Sequence, residues 1–500
     1  MTTFAVLAIG AVLLVMSATL AVGIFGLRFS RTTSDFYVAS RTVGPGLNAS
    51  AVSGEYLSAA SFLGVAGLVL AHGVDALWYP VGWTAGYVLL LVFVAAPLRR
   101  SRAYTLPDFA EFRVESLLAR RVASALVVLV GAFYLVPQLL GAGLTLHALT
   151  GAPDAVGAIV VALVVMVVVA SGGMRSITIA QAFQYWLKLA ALLLPLFFLL
   201  RVWSSRTGRR TGLQSSDWLE PMQRPYDNYL VYSLILATFL GTMGLPHVVV
   251  RFYTNRDGRS ARRTTVRVLA LLGVFYLLPT VYGVLGRVFA VDLIWSGTAD
   301  TVVLELPRRM LDGFGADLLS ALLGAGAFAA FLSTSSGLVV SIGGVLGQDL
   351  LGRWFEGVRA FRIGAVLTTV GALILTVAST GVAVAQAVEL AFAVAASTFA
   401  PMLLLGIWWR GLTAVGVVAG LAVGGGSSVV AVVLVLLGQA PGGALGAVVT
   451  QPALITVPLA FSAMIGVSLA TRSRLPAHVG RTMVRLHTPE DLDLARGARP

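Results

Sequence analysis

Apolar stretches long enough to cross a bilayer recur from one end of this 500-residue chain to the other, and that recurrence limits what it can fold into. A helix needs about 20 apolar residues to span a hydrocarbon core about 30 Å thick. Thirteen segments qualify, at 4–27, 46–68, 77–98, 122–148, 154–171, 177–201, 228–249, 268–290, 317–347, 362–382, 385–409, 412–437 and 449–470. Several boundaries are soft by a few residues, and the spans that meet near 382 and 410 are almost continuous. Only 11% of the residues are charged, against roughly 25% in a soluble globular protein. A mean hydropathy of +0.89 over the whole length excludes a soluble domain on a single anchor. The predicted fold class is an all-α polytopic membrane protein.

The formal charge of +13 does not mark a nucleic-acid binder, because the arginines sit in short runs between the apolar stretches. With the amino terminus outside, 26 arginines face the cytoplasm, including the group Arg251, Arg256, Arg259, Arg262, Arg263 and Arg267, and eight face out. That asymmetry predicts an inner-membrane protein of bacterial type with its carboxyl terminus in the cytoplasm. The basic loop 202–227 is the exception to the rule. The first 30 residues lack a basic n-region and a small-residue cleavage site, so they read as a retained helix. The tail after 471 reads as a cytoplasmic extension, resting on anionic lipid or disordered.

With no Cys, thiolate chemistry and disulfides are excluded, and His72, His147, His247, His478 and His487 show no metal-ligand spacing. Each histidine reads first as a loop or interface residue. No catalytic residue and no enzyme activity are predicted.

Interruptions inside the spans separate a transporter from a passive bundle, since unpaired backbone in oil is tolerated only where it lines a protein cavity. The second span, VGPGLNASAVSGEYLSAASFLGVAG, gathers Ser50, Ser53, Gly54, Glu55, Ser58 and Ser61. In the seventh, LILATFLGTMGLPHVVVRF, Gly241, Thr242, Gly244 and Pro246 cluster, and Pro246 cannot donate to the helix. Two breaks five spans apart are what an inverted repeat of five plus five helices produces, with the solute bound at the discontinuities. The bland reading is that glycine and proline are common in membrane helices anyway.

Span nine contains Ser333, Thr334, Ser335 and Ser336 in a row. Such hydroxyls are tolerable in any membrane helix, but beside carbonyls freed at a break they supply hard oxygen ligands for a partly dehydrated Na⁺. Glu55 in span two and Lys188 in span six, the only lysine, are ionisable groups in oil that need partners or water. A contact between them is one resolution, and snorkelling of Lys188 is another. Glu389 lies near the start of its span and reads as interfacial. For a carboxylate solute, half-helix amino termini offer dipoles and free N–H groups. Tyr56, Tyr134, Gln138, Gln181 and Gln184 offer side-chain donors, although Tyr134 and Tyr185 also suit plain helix packing.

Several stretches together resemble the sodium:solute symporter family, and within it the branch of cation/acetate and related monocarboxylate symporters. They are SDFYVASR at 34–41, GEYLSAASFLGVAG at 54–67, GGMRSITIAQAFQ at 172–184, RFYTNRDGRSARR at 251–263, AFLSTSSG at 330–337 and AFAVAASTFAPMLLLGIWWRGLTAVGVVAG at 391–420. The resemblance implies a fold like that of the sodium-coupled leucine transporter, and Na⁺ coupling, with H⁺ in some branches. It implies a Na⁺ site with carbonyl ligands on Ala49, Val52 and Ala330 and hydroxyl ligands on Ser333 and Thr334.

Departures from the family are informative: Ala51 and Gln181 stand where proline- and sugar-carrying relatives have aspartates, while Glu55 and Tyr56 match the acetate branch with one methylene added. The implied organisation is a first helix and linker (1–45), a first repeat (46–201) and a second (228–409). Added helices (410–470) and a tail (471–500) follow. The implied function is import of a small organic anion such as acetate, propionate or pyruvate by alternating access. Glu55, Tyr56, Gln138, Gln181, Gln184, Gly241, Gly244 and Lys188 are the candidates for solute binding or gating. An amino acid as solute is the alternative, and a sensor or scaffold built on a transporter fold is a more distant one. A small membrane-protein partner and the oligomeric state stay open.

Overall fold

The computed structural model describes residues 3–26, 39, 42–205, 216–222, 226–378 and 384–490. Those residues are helical nearly throughout, with a single isolated bridge between Val43 and Asn255. Helices that are apolar all round satisfy their own backbone and leave their side chains to lipid or to one another.

Eleven helices among the described residues are long and apolar enough to cross a membrane. The count falls below thirteen because two expected loops do not separate their spans: residues 60–101 run on as one helical stretch, and so do 154–205. Both contain a glycine with positive φ, Gly73 (φ 63°) and Gly173 (φ 57°), a conformation that side chains with a Cβ rarely adopt. The chain is redirected there without a polar loop. The motif SDFYVASR and the basic part of the loop 202–227 lie mostly outside the described residues.

The elements that build the interior are α1 (Thr3–Gly26), α2 (Pro45–Tyr56), α3 (Val65–His72) and α4 (Trp78–Leu89). Next come α5 (Leu117–Thr150), α6 (Asp154–Ser205), α7 (Asp227–Gly244), α8 (Pro246–Tyr253) and α9 (Gly258–Phe289). The last are α10 (Phe314–Val345), α11 (Gly357–Ala378) and α12 (Val384–Trp408). α10 is buried continuously from Leu323 to Val345 and packs against α6, α1 and α5. α2 lies on α6, and α7 lies between α4 and α12.

Both suspected breaks are present. α2 ends at Tyr56, Leu57 turns out of the helix (ψ 86°), and a single π-helical turn, Ala60–Gly64, leads into α3. α7 ends at Gly244, Leu245 is extended (ψ 120°), and Pro246 starts α8 at a first-turn position where its missing N–H is harmless.

Part of the tail departs from both expectations. Val479–His487 forms a short helix that buries Met483 and Leu486, Arg485 donates to the Ser101 carbonyl, and Glu490 accepts from the Gly258 amide at 2.8 Å. Residues 472–490 are thus folded onto the chain, while 491–500 lie outside the described residues.

Candidate functional site

A helix that stops in the interior leaves its last carbonyls without amide partners. At the end of α2 these are answered from α6 and α10. Lys188, fully buried, donates to Gly54 O at 2.5 Å, to Leu57 O at 2.7 Å and to Ser333 Oγ at 2.7 Å. Three ammonium hydrogens meet three oxygens. Ser333 Oγ also lies 2.7 Å from Gly54 O and 3.0 Å from Ala330 O, and Thr334 Oγ1 donates to Glu55 O at 2.6 Å. The hydroxyls expected to hold a cation therefore do face a helix break, but the carbonyls there belong to Gly54, Glu55 and Leu57. Ala49 and Val52 lie inside the regular part of α2.

These oxygens are of the hard type that suits Na⁺, yet the Lys188 ammonium already stands among them. A second monovalent cation about 3 Å away would meet a repulsion of about 5 kcal/mol at an effective dielectric of 20. As arranged, the set does not fit Na⁺ and Lys188 together.

Glu55 does not pair with Lys188. Its carboxylate takes the Arg251 guanidinium, with both side chains almost fully buried. Arg251 also donates to Thr178 Oγ1 at 2.9 Å and to the Gln181 side-chain carbonyl, and Gln181 Nε2 donates to Ser333 O at 2.7 Å. Counting Arg251 among the loop arginines was an error of span length. The restart at Pro246 carries α8 through Tyr253 and draws Arg251 inside. Arg99 and Arg113 are buried as well, Arg113 donating to Gly406 O at 2.7 Å and Trp409 O at 2.8 Å. The same region ties α2 to α8 through Asn48 Nδ2, which donates to Asn255 Oδ1 at 3.1 Å.

On the other side of the breaks lies a buried aromatic cluster. Tyr56 on α2 shares a hydrogen bond with Thr242 on α7 (2.7 Å), which joins the two breaks directly. Tyr87 stands edge-on to Tyr56 at 4.9 Å, Tyr134 lies 5.0 Å from the His247 ring, and Phe392 touches Tyr56, Trp83 and Tyr134 at 5.8–6.4 Å between centroids. Trp83 Nε1, the Tyr87 hydroxyl and both ring nitrogens of His247 are buried without a hydrogen-bond partner. Orphaned donors of this kind are costly unless a ligand or water takes them.

Trp83, Tyr87 and His247 were missed from sequence. The first two sit among other aromatics, and a lone histidine carries no spacing signal. Its place directly after Pro246 was the usable clue.

The other candidates fall elsewhere. Gln138 accepts the Ala59 amide at 3.0 Å and so caps the restart of span two, while its amide turns back to Tyr134 O. Gln184 donates to Thr19 on α1 at 3.0 Å. Gly241 and Gly244 let α7 touch the α12 backbone, where a Cβ would run into the carbonyls of Phe392 and Ala395. Tyr185, read as packing, donates to Leu271 O at 3.1 Å.

Above Trp83 opens a cavity of about 740 Å³ whose wall includes His72, Asp75, Tyr79, Asp227, Asp300 and Glu389. Tyr79 packs on Trp83 at 5.7 Å and donates to Glu389 at 2.7 Å, so this aromatic pair links the cavity wall to the cluster. Glu389, read as interfacial, is buried in this wall and also accepts from Gln451. Burial pushes the Asp300 carboxyl up to about 6.

A bundle with two broken helices, paired ions and orphaned donors between them is the arrangement that secondary transporters build around their sites. The model of the Sodium:solute symporter family matches residues 36–424, and the chain belongs to that family. Its activity is accordingly transport and not catalysis. It is 30% identical over 501 residues to the "Uncharacterized symporter YwcA" of Bacillus subtilis (strain 168), covering 95% of this chain and 97% of that one. It is also 30% identical over 492 residues to the "Monocarboxylic acid transporter" of Corynebacterium glutamicum, covering 87% of each. In fold it is similar to a Na⁺-coupled sialic acid symporter solved in a substrate-bound outward-open state, with a TM-score of 0.68, 15% identity, and coverage of 92% of this chain and 98% of that one.

Proposed function

We propose that the chain is a secondary active symporter that imports a small monocarboxylate, of the size of acetate, propionate or pyruvate, by alternating access. The observation that carries this reading is the set of unpartnered polar atoms in the aromatic cluster between the two breaks. These atoms are the Trp83 N–H, the Tyr87 hydroxyl and the His247 ring nitrogens, and the rings of the cluster suit a short apolar chain. With Glu55, Arg251 and Lys188 all ionised, the neighbouring buried cluster carries one net positive charge, which a single anion balances. Two unit charges about 8 Å apart at an effective dielectric of 20 attract by about 2 kcal/mol. The relative from Corynebacterium glutamicum, by its name a carrier of monocarboxylic acids, supports the same solute class.

In this reading the two breaks belong to inverted repeats, 46–201 and 228–409, and each redirection at Gly73 and Gly173 separates two of thirteen crossings. The arginine asymmetry puts the amino terminus and the 740 Å³ cavity outside and the Asn48–Asn255 contact toward the cytoplasm. Solute enters from the cavity past Tyr79 and Trp83, and exit requires the Glu55–Arg251 and Asn48–Asn255 ties to part.

Na⁺ is the coupling ion that family membership implies. The contacts of Lys188 favour a second reading of the coupling, in which the ion is a proton.

Labelled pyruvate and acetate supplied to proteoliposomes, with a neutral amino acid in parallel, test the solute. Saturable pyruvate uptake that excess acetate suppresses is expected. Uptake of the amino acid with no competition from either acid would replace the solute class.

A further inference from the structure

We infer that Lys188 is a tethered cation occupying the span-two break in place of a coupling Na⁺, and that the ion exchanged at this site is the proton Lys188 takes up and releases. The inference rests on the symporter reading above.

Three observations carry it. The oxygens meeting at the break are two main-chain carbonyls from the end of α2 and one hydroxyl from α10, a set without fixed charge that asks for a compact cation. Lys188 supplies that cation at 2.5–2.7 Å from all three. The ammonium also spans three elements: its stem rises from α6, and its head holds the last turn of α2 to Ser333 of α10. Charging it ties α2 to α10, and neutralising it removes one of its three donated hydrogen bonds and the charge behind the other two.

The charged and titratable neighbours are few. α2 contributes Glu55 and Tyr56, and α8 contributes Arg251 and His247, with Arg251 committed to Glu55. α9 contributes Tyr276 and Tyr282, α5 Tyr134, and α1 nothing charged. α10 has one acid, Asp317 in its first turn, four turns from Ser333. The remaining charges of α5, α9 and α11 are exposed or half-exposed near helix ends.

Among the described residues Glu55 is thus the one acid close to the site, and Arg251 holds it, so none of them is a dedicated counter-ion to Lys188. A monocarboxylate taken up at the adjoining aromatic cluster supplies the missing negative charge and favours the ammonium. The proton balance is direct: the amine gains H⁺ from the cavity side together with the anion and returns to –NH₂ by releasing H⁺ on the opposite side. One proton and one anion cross per cycle.

The test uses the full-length chain reconstituted with labelled pyruvate, protein-free liposomes being subtracted for passive entry of the acid. An inward gradient of about one pH unit without Na⁺ should concentrate pyruvate toward a limit of about tenfold. Replacing choline by Na⁺ should change nothing. Lys188→Met removes the charge that the anion balances, so it should weaken pyruvate exchange at symmetric pH, and its accumulation ratio should fall to about one.

Accumulation driven by a Na⁺ gradient and indifferent to pH would overturn the inference, as would a Lys188→Met variant that still concentrates pyruvate on a pH gradient. The Tm of the purified wild type in NaCl against choline chloride gives a readout independent of solute and of variant folding. No Na⁺-dependent rise is expected, and a saturable rise would overturn the inference. If pyruvate is neither accumulated nor exchanged, the monocarboxylate reading fails, and the Na⁺ dependence of Tm decides the role of Lys188 alone.

Discussion

His247, Trp83 and Tyr87 share one property, a polar atom held in a dry place without a protein partner, and each is a donor matched to the carboxylate of the proposed solute. His247→Phe keeps the ring volume against Tyr134 and removes both nitrogens. A hydrogen bond to a charged group contributes about 1.5–3 kcal/mol. The variant should therefore raise the KM for pyruvate roughly tenfold to a hundredfold, measured as initial uptake rates, with little change in Tm.

Asp300 in the cavity wall makes a separate prediction about stability. Its folded-state pKa, about 6, lies above the ordinary value of 3.8, so the native protein disfavours the ionised form. Stability should fall as pH rises from about 4 through 6 and level off above. Asp300→Asn removes that loss. Thermal unfolding in detergent should find the variant more stable than wild type at pH 8 and equal to it at pH 4, whereas the same difference at both would contradict the assignment.

At this scale the sequence was half legible. Ser333, Thr334, Glu55 and Lys188 stand out because polar groups in apolar runs are conspicuous. Who meets whom does not follow from a linear string, and so Arg251, two residues beyond an apolar run, passed as a loop charge.

Among elements, the two broken helices organise the rest. α2 and α8 are half-helices, each opened by a proline, and the Arg251–Glu55 pair with the Asn48–Asn255 contact joins them. Removing one member of a buried pair leaves the other charge unanswered at a cost of about 3–5 kcal/mol, whereas replacing both is often close to neutral. Glu55→Gln should therefore lower Tm markedly and weaken uptake. The double variant Glu55→Gln with Arg251→Met should recover most of the Tm without restoring transport. A double variant no more stable than the single one would show that the two residues do not act as a pair.

The breaks themselves were readable, because proline and clustered glycines and serines state where a helix cannot continue. The carbonyls that a break frees were less so. They fall on Gly54, Glu55 and Leu57, at the helix end, since only the end of a helix leaves acceptors over, whereas Ala49 and Val52 lie inside its regular part.

For the whole molecule, the apolar recurrence alone gave a helical membrane protein. The redirections at Gly73 and Gly173 were invisible to it, because a single glycine with positive φ can turn a chain that hydropathy reads as uninterrupted. The result is an interior tied at one end by ion and amide pairs and open at the other to a cavity of about 740 Å³. That asymmetry suits one stage of an alternating cycle.

The central claim is that a carboxylate occupies the gap between the two broken helices, and the absence of native cysteine makes the gap directly measurable. Ser58→Cys puts one thiol in the chain, buried at the span-two break beside the aromatic cluster. Its reaction rate with a small methanethiosulfonate should fall severalfold in saturating pyruvate or acetate and stay unchanged in acetamide. A rate indifferent to every carboxylate, in a variant that still transports pyruvate, would contradict the account.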